Sequence, residues 1–164
     1  MAESQNPESQ NPDATQPEIP PGQFAIHRIY VKDISFEAPN SPSIFRSDWR
    51  PDVDVQLSTH GSGIETNLYE VEVRVTVTVK IEDKTAFLVE VNQAAVFGIG
   101  GLPKDRLKYI LSSFCPNILF PYARETISDL VTRGGFPQFL LSPVNFDAMH
   151  AKHLQEDQQG TPPG

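Results

Sequence analysis

The stretch YEVEVRVTVTVK, residues 69–80, decides the fold. Tyr69, Val71, Val73, Val75, Val77 and Val79 alternate without a break with Glu70, Glu72, Arg74, Thr76, Thr78 and Lys80. A period of two sends the first set to one side of an extended chain and the second set to the other. The segment is therefore a strand with one buried and one wet face, as in an antiparallel sheet covered on one side only.

Downstream, Glu82, Asp83 and Lys84 form a turn, and TAFLVEVNQAAVFGIG resumes the alternation. Phe87, Val89 and Val91 face opposite to Leu88, Glu90 and Asn92, which makes the pair a long hairpin. Upstream, VDVQLST sets Val53, Val55 and Leu57 against Asp54, Gln56 and Ser58, with a turn expected at His60, Gly61, Ser62 and Gly63. The first strand is FAIHRIYVKDISFEA, on its β-branched and aromatic content. Strict alternation there puts Phe24, Ile26, Arg28, Tyr30, Lys32, Ile34 and Phe36 on one face, and His27, Ile29, Val31, Asp33, Ser35 and Glu37 on the other. Neither face is then purely apolar. The cluster Pro39, Asn40, Ser41 and Pro42 ends this strand, and a loop with Phe45 and Trp49 comes next.

After Gly100 and Gly101 the period turns helical, because Leu107, Ile110, Leu111 and Phe114 recur at spacings of three and four. Pro116 is expected to interrupt that helix. A second helix is expected from Pro121, as a first-turn proline, to Arg133, with Gly134 and Gly135 as its stop. PQFLLSPVNF reads as extended and apolar, and Asn145 as the cap of a short last helix that turns Phe146, Met149 and Leu154 inward. Strands succeeded by helices imply an α+β arrangement, a four-stranded antiparallel sheet packed on C-terminal helices.

The 164 residues suit one domain, expected over 23–155. Residues 1–22 hold five prolines and a near-repeat of ESQNP and read as a disordered tail; 156–164 read as a flexible polar end. With a net charge of -8 and singly scattered Lys and Arg, the chain has no basic stripe, so nucleic acid is excluded as a partner and basic partners are favoured. The N-terminus has neither the positive n-region nor the apolar core of a signal peptide, and no stretch approaches a membrane span. Direct membrane insertion is not expected. Cys115 is the sole cysteine, which excludes an internal disulfide and points to the cytoplasm.

A search for catalytic chemistry yields little. His150 and His153, spaced i, i+3, could place two ligands on one helix face, but no cysteine is near and only solvated acids come after them. Cys115 as a nucleophile would need a histidine base, and it reads better as a packed thiol. GIGG at 98–101 is not succeeded by Lys-Ser or Lys-Thr and reads as a hinge from sheet to helix, not a phosphate loop. Neither an enzymatic constellation nor a cofactor site is expected. Asp33 and Glu37 share a strand face, and Glu90 shares one with Leu88; these are either solvating charges or a docking surface for a basic partner. Phe45, Trp49, Phe136 and Phe139 fall in irregular segments beside proline or glycine, where they either pin loops or line an apolar groove.

The runs RIYVKDISFEAPN, YEVEVRVTVTV, TAFLVEV, CPNILFPYARETISDLVTRGGFPQ and SPVNFDA closely resemble the SecB family of proteobacterial protein-export chaperones, over about 24–150. The resemblance implies a cytosolic homotetramer, a dimer of dimers, that needs no nucleotide. Such an assembly holds unfolded secretory preproteins in a translocation-competent state and passes them to the SecA ATPase. It also implies that Asp33, Glu37, Leu88 and Glu90 receive the basic, zinc-containing C-terminal segment of SecA, the zinc belonging to the partner. Val89, Val91 and Gln93 match positions linked to substrate binding and to the dimer–tetramer equilibrium. Trp49 and Phe136 are the candidates for the walls of the client groove.

Overall fold

In the computed structural model, which describes residues 23–160, four strands form one antiparallel sheet in the order β1-β4-β3-β2. They are β1 Phe24–Glu37, β2 Asp52–Glu65, β3 Leu68–Ile81 and β4 Lys84–Ile99. The central pair is the hairpin read from the sequence. Its two-residue turn has positive φ at both Glu82 (49°) and Asp83 (66°), the primed geometry that matches the twist of the flanking strands. Val71, Val73, Val75, Val77 and Val79 are all fully buried, as their alternation requires.

The first strand departs from strict alternation. Residues directly opposite in an antiparallel pair share a face, and the register skips once at His27 and once at Lys32. Each bulge adds one residue and so switches the side on which every later residue of the strand falls. Phe24 and Ile26 thus face Ile99 and Phe97, Ile29 and Val31 face Ala95 and Gln93, and Ile34 and Phe36 face Val91 and Val89. The inward side of β1 is wholly apolar, which corrects the mixed faces expected above. Asp33, Ser35 and Glu37 all turn outward.

Strand β2 also runs further than expected. It passes through 60–63 without turning and reverses only after Glu65, where Asn67 takes the left-handed conformation (φ 58°). The position of a Cβ on Gly61 lies 3.7 Å from Leu111 Cβ, so at this glycine the helical layer closes directly on the strand.

The two expected helices are one continuous run. It comprises α1 Lys104–Tyr109, a π-turn Ile110–Phe114 and α2 Cys115–Arg133, so Pro116 interrupts nothing and Pro121 starts nothing. The widened π-turn lies just before Pro116 and lets the run pass a residue that has no N–H to give to the turn behind it. Pro121 is exposed inside α2, while Leu119, Phe120, Ala123, Ile127 and Val131 bury the other side of the helix against β3 and β4. That packing holds the helix across the lost hydrogen bond.

Helix α3, Phe146–Gln159, starts as foreseen, with Asn145 Oδ1 accepting from the Ala148 N–H at 3.0 Å, and runs past the expected boundary at 155. The tail at 1–22 and the last four residues lie outside the described residues.

Candidate functional site

All helices lie on one side of the sheet, and the other side is a broad polar surface. Its register forms rows across the four strands: Glu37, Leu88, Thr78 and Asp54; then Ser35, Glu90, Thr76 and Gln56; then Asp33, Asn92, Arg74 and Ser58. Neighbouring strands sit about 4.8 Å apart. The four docking candidates, Asp33, Glu37, Leu88 and Glu90, are therefore brought together on adjacent strands of one face. The bulge at Lys32 sets Glu37 level with Leu88 and Asp33 one row beyond Glu90, opposite Asn92.

The charges of this face divide into two zones. Lys32 bridges Glu70 at 3.0 Å and Glu72 at 2.8 Å, and Tyr30 donates its hydroxyl proton to Glu70. Burial first, and then this bond to a carboxylate, push Tyr30 up to about 12. The Lys32 ammonium, seconded by the Asn92 amide, holds Glu72 below the usual carboxylate range. This zone is largely neutralised from within. In the other zone Glu90 accepts from Thr76 Oγ1 at 2.9 Å and meets Arg74 only at 3.9 Å. Among the described residues no cation pairs with Asp33 or Glu37, and both are exposed. The surplus negative charge thus gathers beside the half-buried Leu88.

The helix side is apolar. Val89 and Val91 are fully buried, and Gln93, nearly so, donates Nε2–H to the Tyr30 carbonyl at 3.0 Å, just before the second bulge. At the end of the sheet near Phe36, Phe136 packs against Phe87 (ring centroids 5.0 Å), Phe45 (5.2 Å) and Trp49 (6.0 Å). Only 6% of Phe136 is exposed, so it is the centre of this nest, whereas Trp49 at 39% forms its outer wall.

Beside the nest runs a groove of about 410 Å³ that the site candidates omit, lined by Val53, Val55, Leu57, Phe139, Leu140 and Val144 among others. Leu140 is 66% exposed, and Phe139 joins groove to nest through its contact with Phe87 at 6.3 Å. Of its lining, the sequence marks Phe139 as a loop-pinning or groove aromatic and Val53, Val55 and Leu57 as one strand face, but not their meeting.

A family model described as "Preprotein translocase subunit SecB" matches residues 15–157. The protein-export protein SecB of Methylococcus capsulatus is 51% identical over 88% of this chain and 93% of its own. That of Hydrogenovibrio crunogenus is 53% identical over 85% and 93%. This chain belongs to the SecB family. Its fold is also that of the SecB-like chaperone Rv1957 of Mycobacterium tuberculosis, solved with a ChAD peptide from the HigA1 antitoxin. That likeness has a TM-score of 0.63 at 15% identity and covers 74% of this chain and 91% of the other.

SecB family membership makes the chain a protein-export chaperone, not an enzyme, and places it in the cytoplasm. No described helix is long and apolar enough to cross a membrane. Cys115 is fully buried, and burial raises its thiol far above the reactive range, as suits a core thiol. The two histidines of α3 go separate ways. His150 turns in to Ser112 Oγ at 2.5 Å and to the Tyr109 ring, while His153 meets Glu156.

Proposed function

We propose that this SecB-family chaperone divides its two tasks between the two sides of the sheet. Unfolded preproteins occupy the apolar groove and aromatic nest on the helix side, with Trp49, Val53, Val55, Phe139 and Leu140 as contacts. SecA, through a basic segment, docks on the helix-free side at Asp33, Glu37, Leu88 and Glu90. The single observation that supports this division is the chemical opposition of the faces. Asp33 and Glu37, exposed and without cations among the described residues, share one side with Glu90 and the half-buried Leu88, and an open apolar groove lies on the other.

A groove lined almost wholly by carbon recognises many sequences, because nonpolar burial is not directional. Selection is then kinetic. A precursor that folds fast hides its apolar segments, and a slow one keeps offering them. Binding to the unfolded chain alone opposes its folding by mass action, by about 2.7 kcal/mol when free chaperone is a hundredfold above Kd.

The assembly is a dimer of dimers. Ile26, Val31 and Ile34 lie on the helix side of the edge strand β1 and are 46%, 44% and 45% exposed, a row that supports coverage by a second copy. Several grooves on one tetramer let a long client make modest contacts that sum through effective concentration.

Glu90→Lys separates the tasks. It abolishes binding of purified SecA in a titration by calorimetry and leaves capture of an unfolded precursor unchanged. Equal loss of both contradicts separate surfaces.

A further inference from the structure

Asn92 stands at the middle of the helix-free face and is 5% exposed. Its Nδ2 donates to Glu72 Oε1 at 3.0 Å, which turns the carbonyl end of the planar amide away from Glu72. That carbonyl oxygen has no hydrogen-bond partner, the one such buried side-chain atom among the described residues. An acceptor shut from water without a donor costs about 1–3 kcal/mol, so its retention here calls for a reason.

The surroundings supply one. Asn92 lies directly across from Asp33 on one flank and from Arg74 on the other, two residues along β4 from Glu90. It also lines a hollow of about 160 Å³ with Ser58, Thr59, His60, Glu72 and Arg74. Arg74 is half-exposed and reaches Glu90 only at 3.9 Å, so it yields readily to an incoming group. Asp33, Glu90 and Glu72 against Arg74 and Lys32 leave the vicinity net negative. A vacant acceptor among surplus carboxylates fits a cationic donor.

We propose that Asn92 is a fifth contact of the docking face: docking moves the Arg74 side chain aside and opens the buried Oδ1, which accepts a hydrogen bond from a lysine or arginine side chain of the docking segment. The inference rests on the docking reading above and names the chemistry that the centre of that surface selects. The Asp33 and Glu90 charges attract any basic segment, whereas the Asn92 carbonyl requires a donor at one fixed point.

Asn92→Leu and Asn92→Asp, with Glu90→Lys as reference, test this in the full-length protein against purified SecA, with capture of an unfolded precursor measured alongside. Asn92→Leu is expected to weaken SecA binding about tenfold, the loss of one hydrogen bond to a charged group, and to leave precursor capture unchanged. Asn92→Asp keeps the shape but trades the bond to Glu72 for a second carboxylate beside it, a repulsion that a bound cation relieves, so binding is retained or tightened at low salt and becomes more salt-sensitive. If Glu90→Lys abolishes binding while both Asn92 variants bind as the parent does, the oxygen serves no partner and the inference is overturned. If Glu90→Lys also binds normally, the docking reading itself fails, a separate result. Asn92→Leu that loses precursor capture as well has lost its fold, and the Asn92→Asp salt dependence then decides.

Discussion

Gly134 shows how closely the aromatic nest is built. A Cβ there would lie 2.4 Å from Cζ of Phe36 and 2.8 Å from its Cε1, and the Phe36 ring is itself held between Phe87 and Phe136. The backbone at Gly134 is ordinary helical (φ -72°), so the requirement is for space and not for a left-handed turn. Gly134→Ala is expected to destabilise the chain by about 1–3 kcal/mol through overpacking, read as a lower midpoint in urea with an unchanged slope. The sequence showed Gly134 only as a helix stop. The same limit applies to Phe136: its place beside glycine and proline was legible, but its burial under Trp49 depends on a loop from the other end of the chain. Asp33, Glu37, Leu88 and Glu90, by contrast, were legible as two strand-face pairs. What the sequence left open was their union, which depends on which edge of the hairpin β1 joins.

Among the elements, the long hairpin and the Asn145 cap come directly from alternation and capping chemistry. The β1 faces do not, because bulges at His27 and Lys32 are set by pairing with β4 and leave no mark in a count of every second residue. The continuous α1 to α2 run was equally hidden, since a proline after a π-turn reads locally as a break. Helix α3 carries a prediction of its own. Asp147 accepts from Tyr109 OH at 2.8 Å and from the Ser113 hydroxyl, and the Ser113 bond first, then the Tyr109 bond, lower its pKa below the ordinary aspartate value. A depressed carboxylate pKa gives stabilisation that is present above the unfolded-state pKa, near 3.9, and is lost as pH falls through the folded value. Protection of the α3 amides relative to their intrinsic exchange rate is therefore expected to fall below about pH 4, and Asp147→Asn is expected to remove that step and lower protection at neutral pH. An unchanged acid profile in Asp147→Asn would show that Asp147 does not fasten the helix.

At the scale of the whole molecule, one thin sheet separates a face rich in carboxylates, of which Asp33 and Glu37 have no cation among the described residues, from an apolar face that the helices only partly cover. The uncovered parts are Val53 and Val55 on one edge and Ile26, Val31 and Ile34 on the other, all large and all about half-exposed. Copies of the chain covering the β1 edge would leave the β2 groove open to clients. Ile34→Lys is accordingly expected to lower the mass of the assembly in sedimentation; an unchanged mass would place the interface elsewhere. The central claim is that the apolar side captures chains because they are unfolded. Light scattering on the protein mixed with a chemically unfolded secretory precursor, and separately with the same precursor folded, tests it most directly. A complex with the mass of one tetramer and its client, formed with the unfolded precursor alone, is the predicted result; no complex with the unfolded precursor, or equal complexes with both forms, would contradict it.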